Sequence, residues 1–282
     1  MRILELDHSS VLKFLPERDP DGHKGTFGKI LLICGSRGYT GAAALAAMGA
    51  LRSGAGLVYL AVPESIYAIE AVKLTEPVII PMAEHKGMLA SETTETVRNL
   101  LPKMDAVLIG PGIGLEDGPL RVLETVLLEA KCPVVVDADG ITLLSRHKDI
   151  LRGRSCPMIL TPHIGEFERM AGAVGQDRIG AAMTLAREFS CIVLLKGRGT
   201  VITDGVNCYR NPTGNPGMAV GGSGDLLAGI LTAFLGQGIA PLEATACAAW
   251  VYGAAGDLCA AELGQYAMLP TDMLAKLPRL LK

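Results

Sequence analysis

The sequence predicts an α/β protein whose mostly parallel central sheet is covered by helices on both faces and closes with an antiparallel hairpin near the carboxyl end. Short apolar runs rich in Val and Ile recur at 29–34, 57–62, 77–81, 106–109, 133–136, 158–160 and 191–195. Segments with helical spacing separate most of them, at 41–52, 64–72, 93–101, 119–130 and 179–189. Strands that are apolar throughout, rather than alternating, are those buried on both faces, which a parallel sheet requires. Glycine is abundant and aromatic residues make up only 4% of the chain, a profile that suits a helix-covered parallel sheet better than a β-sandwich.

Each run is bounded by Gly, Pro or charge, as strand ends require. After 195 the pattern changes. Residues 200–203 and 206–209 flank Asp204-Gly205, a two-residue hairpin signal. The remainder is helical: 225–234, then 242–263 in one or two pieces, then 271–280. No linker, low-complexity tract or repeat interrupts the pattern, so residues 1–282 are read as one domain. In open sheets of this kind ligands bind beyond the carboxyl ends of the strands, and nearly every glycine-rich segment falls at such an end.

A net charge of −3 without a basic run argues against nucleic acid or an acidic membrane surface as partner. The first 27 residues are broken by charges at Glu5, Asp7, Lys13, Glu17, Arg18 and Asp19, unlike a signal peptide. The apolar stretch from Ile239 onward is interrupted by Glu243 and reads as a buried helix, not a membrane span. The seven cysteines, at 34, 132, 156, 191, 208, 247 and 259, form no Cys-x-x-Cys pair. They read as buried free thiols in a reducing compartment, and the expected location is cytoplasmic. The five histidines also lack metal-ligand spacing.

The segment richest in chemistry is Gly214-Asn-Pro-Gly-Met-Ala-Val-Gly-Gly-Ser-Gly-Asp225, which runs into an apolar helical stretch. A helix start leaves amide N–H groups unpaired and carries partial positive charge, and glycines let an anion approach the backbone. Asp225 would repel a phosphate there unless it had other work. It is therefore the candidate catalytic carboxylate, with helix capping as the alternative.

Other motifs carry paired readings. Gly35, Gly38 and Gly41 lack the spacing of a dinucleotide fingerprint, yet would admit a ligand near Gly41-Ala42; tight helix packing explains them equally well. Gly110-Pro-Gly-Ile-Gly114 is read as ligand contact over a plain turn. In Val136-Asp-Ala-Asp139, Asp139 is read as a helix cap while Asp137 stays open between structure and water-mediated Mg²⁺. In Thr161-Pro-His-Ile-Gly-Glu166, Thr161 and Glu166 are too far apart for a capping box, although Glu166 suits a first helical turn. His163 is read as a loop residue without structural duty, free to contact a polar substrate. Lys196-Gly-Arg-Gly-Thr200 combines exposed amides with two cations and is read as a nucleotide-phosphate loop over a basic surface turn.

Taken in order, these segments resemble the ADP/ATP-dependent NAD(P)H-hydrate dehydratases of the ribokinase-like superfamily, over roughly residues 25 to 280. Thr-Pro-His-x-Gly-Glu and Asn-Pro-Gly-Met are the specific motifs; the final glycine-rich segment marks only the superfamily. Ile164 departs from the family's usual proline. The resemblance implies a three-layer α/β/α sandwich. It implies an enzyme that phosphorylates the ring hydroxyl of hydrated NADH or NADPH (the S epimer) with ADP or ATP and Mg²⁺, then expels phosphate. Asp225 would be the base, with the Gly222, Ser223 and Gly224 amides stabilising the transferring group. Ala42, Gly112, His163 and Asp225 would line the hydrated dinucleotide; Lys196, Gly197, Arg198, Gly199, Thr200 and Gly224 would hold the nucleotide. A helix start should lower the Asp225 pKa and weaken it as a base. The resemblance further implies a homo-oligomer, with a tetramer suggested, and, since the chain starts close to its first motif, an epimerase carried on a separate protein. The rival readings are a small-molecule kinase of the same superfamily, such as one acting on hydroxyethylthiazole, and a non-catalytic nucleotide-binding regulator.

Overall fold

The apolar runs pair into one ten-stranded sheet in the computed structural model, which describes residues 3–282. In chain order the strands are β1 (Ile3–Glu5), β2 (Lys29–Ile33), β3 (Leu57–Pro63), β4 (Val78–Met82), the small hairpin β5 (Glu84–His85) and β6 (Met88–Leu89), then β7 (Ala106–Ile109), β8 (Val134–Val136), β9 (Met158–Leu160), β10 (Ile192–Leu195), β11 (Val201–Thr203) and β12 (Cys208–Arg210). The helices are α1 (His8–Phe14), α2 (Thr40–Arg52), α3 (Glu64–Lys73), α4 (Thr93–Leu100), α5 (Asp117–Glu129), α6 (Asp139–Arg146), α7 (Ile164–Ala171), α8 (Arg178–Glu188), α9 (Ser223–Gly236), α10 (Pro241–Leu263) and α11 (Pro270–Leu280).

The strand order is β1-β12-β11-β10-β9-β8-β7-β2-β3-β4. Only the β10–β11 and β11–β12 pairs are antiparallel. Side-chain alternation divides each strand between two cores. Ile30, Leu32 and Leu108 face the layer of α1, α2, α9, α10 and α11, while Leu31, Ile33 and Val107 face the layer of α4 to α8. The result is the three-layer sandwich that the resemblance implies. Order reverses between β2 and β7, so the crevice beyond their carboxyl ends is the expected ligand site.

Helix α9 is buried from Leu226 to Gly236 and lies unusually close to α2. A side chain at Gly229 would meet the Ala46 carbonyl oxygen at 2.1 Å, and one at Gly49 the Leu226 carbonyl oxygen at 2.7 Å. These backbone-to-backbone approaches fix where the first turn of α9 projects.

One sequence expectation changes, one open choice is settled, and one strand is new. The hairpin loop is four residues long, because Thr203 pairs with Cys208. The Asp204 carboxylate accepts from the Val206 and Asn207 amides, so the side chain builds a wider turn than Asp204-Gly205 alone suggests. The helix after 240 is a single piece. An unanticipated strand, β1, adds parallel to β12 at the sheet edge, followed by α1, whose start Asp7 and Ser10 close with a reciprocal cap.

Candidate active site

The carboxyl ends of β8, β9 and β10 converge with the first turn of α9. Gly222 adopts the left-handed conformation (φ 91°) and caps α9, leaving Asp225 on its first turn. The Ser223 amide donates to the Val220 carbonyl at 3.3 Å, which corrects the reading of that amide as free. The Gly222, Gly224 and Asp225 amides donate to no backbone carbonyl among the described residues. Together they leave a cluster of donors at the positive end of a buried helix.

Facing this turn is Lys196, from the end of β10. Its ammonium donates to Asp137 Oδ1 at 2.9 Å and lies 3.8 Å from Glu166 Oε2. Asp137 and Glu166 are buried. A side chain at Gly224 would come within 3.4 Å of Lys196 Nζ and 3.6 Å of Asp137 Oδ2, so the ammonium and the helix start share one cradle. Burial disfavours the Lys196 charge, but Asp137, Glu166 and Asp225 outweigh it and hold its pKa above the ordinary value. A cation beside free amides is what a phosphate chain needs.

Burial, and then the charge of Asp137, push the Asp225 carboxyl up to about 6; Lys196 opposes the rise and Asp139 adds to it. The expectation of a lowered pKa is thereby overturned, because desolvation and a like charge outweigh the helix start. A carboxylate tuned near neutrality is a better proton acceptor than an ordinary aspartate.

The dinucleotide-side candidates lie around this cluster. Ser36 Oγ donates to the Gly112 carbonyl at 2.7 Å, and a side chain at Gly112 (φ 64°) would touch Tyr39 Cβ at 2.8 Å and Ala42 Cβ at 3.2 Å. Ala42 and Gly112 are thus neighbours. Gly110 and Gly114 are filled from within the protein, by the Asp137 backbone and Met88. Packing therefore accounts for these two glycines, correcting the ligand-contact reading.

His163 carries a structural duty that the sequence reading denied it. It is the N-cap of α7: the Glu166 amide donates to Nδ1 at 3.3 Å, and the His163 amide donates to Glu166 Oε2 at 2.8 Å. Its ring remains more than half exposed. The Asp139 cap reading also fails. Ala138 (φ 50°) is the N-cap of α6, and Asp139 accepts from the Gly114 amide at 2.9 Å.

The 196–200 loop is gripped by Arg178, at the start of α8. Its guanidinium donates to the carbonyls of Arg198 at 2.6 Å and Lys196 at 3.2 Å. Gly197 (φ 137°) and Gly199 (φ 65°) allow the loop to turn; Arg198 is exposed and Thr200 half-buried. Beside it opens a groove of about 460 Å³ lined by Asp177, Arg178, Arg198, Gly199, Arg210 and Asn211.

Among the described residues no three His, Cys, Asp or Glu side chains gather as a metal cage. The donor set still fits Mg²⁺, which keeps several waters and is commonly held by one or two carboxylates plus substrate phosphates. Asp137 and Glu166, drawn together around Lys196, are the carboxylates that would serve.

A family model described as NAD(P)H-hydrate dehydratase matches residues 30–279. The chain belongs to the NAD(P)H-hydrate dehydratase family. It is 34% identical to an ADP-dependent (S)-NAD(P)H-hydrate dehydratase of Cenarchaeum symbiosum, covering 98% of this chain and 96% of that one. It is 42% identical to a bifunctional NAD(P)H-hydrate repair enzyme of Moorella thermoacetica, covering 95% of this chain and 52% of the relative. The chain therefore spans about half the length of the bifunctional relatives it matches. Among solved structures it is similar to an ADP/ATP-dependent NAD(P)H-hydrate dehydratase from Bacillus subtilis co-crystallised with ATP/Mg²⁺. That similarity has a TM-score of 0.86 and 32% identity, covering 99% of this chain and 98% of that one.

Sequence reasoning missed the residues that hold this candidate site from behind. Asp257, on α10, accepts from the Gly214 amide and Asn215 Nδ2, both at 2.9 Å. Arg178 and Tyr252 carried no motif. Only the fold brings them to the site.

Proposed function

We propose that the chain dehydrates the S epimer of hydrated NADH or NADPH at the expense of ADP or ATP. Asp225 takes the proton of the ring hydroxyl while that oxygen attacks the terminal phosphorus of the nucleotide. The bond from phosphorus to the leaving nucleotide breaks, giving AMP or ADP. Electron push from the ring nitrogen then breaks the ring carbon–oxygen bond. Phosphate leaves with the former hydroxyl oxygen, a ring proton is lost, and the dihydronicotinamide is restored.

The observation that carries this reading is the Asp225 carboxyl, raised to about 6, on a helix turn whose Gly222, Gly224 and Asp225 amides donate to no backbone carbonyl among the described residues. Phosphoryl transfer needs alignment and charge neutralisation more than covalent help. Lys196 and the Gly222 and Gly224 amides would neutralise the transferring group, and Arg178 would hold the 196–200 loop against the nucleotide. Ala42, Gly112 and the exposed His163 ring would line the hydrated dinucleotide. Asp137 and Glu166 are the carboxylates that would hold Mg²⁺, whose charge would offset that of the nucleotide phosphates. An epimerase would supply the S epimer by inverting the R epimer at the hydrated carbon. The proposed setting is a homotetramer in the cytoplasm. No helix among the described residues is long and apolar enough to cross a membrane.

The test is to incubate the purified chain with hydrated NADH and ADP or ATP, following both dihydronicotinamide absorbance and free phosphate. Recovery of absorbance with matching phosphate release is expected. A phosphorylated product that persists would instead make the protein a kinase, and no reaction with either nucleotide would defeat the proposal.

A further inference from the structure

Helix α10 forms the back wall of the glycine-rich turn. Asn211 Nδ2 donates to the Ala249 carbonyl at 2.9 Å, and Thr213 Oγ1 to the Trp250 carbonyl at 3.0 Å. Asp257 accepts from Gly214 and Asn215. These attachments anchor residues 211–215, upstream of the phosphate cradle. One polar group on this stretch of α10 stands apart. The hydroxyl of Tyr252, a residue only 6% exposed, is buried without a hydrogen-bond partner among the described residues.

Its polar neighbour is Ser223, the first residue of α9. Burial pushes the Tyr252 phenol up, and the Asp225 charge adds to it. Ser223 gives its own proton to the Met218 carbonyl at 2.6 Å, so toward Tyr252 it offers only lone pairs. A buried hydroxyl left unpaired is destabilising relative to phenylalanine. Here it lies behind the turn that carries Asp225.

We propose that Tyr252 is a positioning residue: its hydroxyl donates to Ser223 Oγ as phosphates enter the cradle, completing a relay from Tyr252 through Ser223 to Met218. The relay joins α10, the first turn of α9 and the 216–218 turn, so filling the cradle fixes the orientation of Asp225. The inference rests on the nucleotide reading above, and it assigns a role to a side chain that contacts neither substrate directly.

The test compares wild type with Tyr252→Phe, Ser223→Ala and the double variant, using ADP with Mg²⁺ as probe. Without nucleotide, Tyr252→Phe should melt at the same temperature as wild type or higher, since it removes only an unpaired buried hydroxyl. Its ADP affinity should fall about 5- to 10-fold, about 1–1.4 kcal/mol, and its ADP-induced rise in Tm should shrink accordingly. The kcat should fall while KM for the hydrated dinucleotide stays put. In the Ser223→Ala background the Tyr252→Phe change should add nothing, because the acceptor is already gone. Equal ADP-induced stabilisation in wild type and Tyr252→Phe would overturn the inference alone. Additive effects, or a lowered melting temperature without nucleotide, would also overturn it by making the hydroxyl merely structural. No ADP-induced stabilisation in any of the proteins would defeat the nucleotide reading itself, and the inference with it.

Discussion

Replacing Asp225 by asparagine should abolish turnover and at the same time raise the stability of the protein at neutral pH. The carboxyl is raised from its ordinary 3.8 to about 6, chiefly by burial. The folded protein therefore favours the protonated form more than the unfolded chain does. Between these two values the native state binds more protons, so stability falls as pH rises through the window. Above about 6 the full cost of holding a charged Asp225 is present; below 3.8 it has vanished. The rise corresponds to about 3 kcal/mol at ~1.4 kcal/mol for each pH unit. Solvent reaching the half-buried group reduces this to about 1–2 kcal/mol. Asparagine keeps the shape and removes the charge, so thermal melts at pH 7–8 should show a Tm higher by roughly 2–6 °C. The difference should shrink toward pH 4. The same variant should still bind ADP but show no recovery of dihydronicotinamide absorbance. A variant less stable than wild type at pH 7, or one that retains turnover, would refute the reasoning.

The same carboxyl sets the acid limb of the rate. A base raised to about 6 should make kcat fall as pH drops through about 6, a limb visible in a pH–rate profile and centred two units above an ordinary aspartate's range. Lys196→Met removes the ammonium between buried Asp137 and Glu166. Denaturant unfolding should show a loss of about 3 kcal/mol, and nucleotide titration a marked loss of affinity. Gly110→Ala places a methyl 1.9 Å from the Asp137 carbonyl at φ 133°; it should cost about 3 kcal/mol or more and lower soluble yield. Asp257→Ala frees the Gly214 amide and Asn215, and steady-state kinetics should show a raised KM for nucleotide with a smaller change in stability.

What the sequence made legible is what local pattern encodes. The buried strands β2, β7, β8 and β10 were visible because a parallel sheet leaves an unbroken apolar signature. The first turn of α9 was visible because glycines before an apolar helix have a physical purpose. By contrast β1 is three residues whose pairing to β12 joins positions 205 residues apart. The His163 cap went unseen because histidine is not among the favoured cap residues, although Glu166 three positions on was a usable clue. The turn at Asp204 was misjudged because its carboxylate, rather than Gly205, organises the loop. At Asp225 the local signal pointed the wrong way. The helix start lies in the sequence, but the charge of Asp137 and the burial that reverse its effect come from the fold. Likewise Lys196, Asp137 and Glu166 each belonged to a separate motif, and only the parallel arrangement of strand ends joins them.

The most direct measurement is a crystal structure of the chain with hydrated NADH and a non-transferable ADP or ATP analogue. The account predicts the Asp225 carboxylate within hydrogen-bond distance of the ring hydroxyl, with the terminal phosphate against the Gly222 and Gly224 amides. A hydroxyl bound elsewhere, or an Asp225 side chain turned away from both ligands, would contradict it.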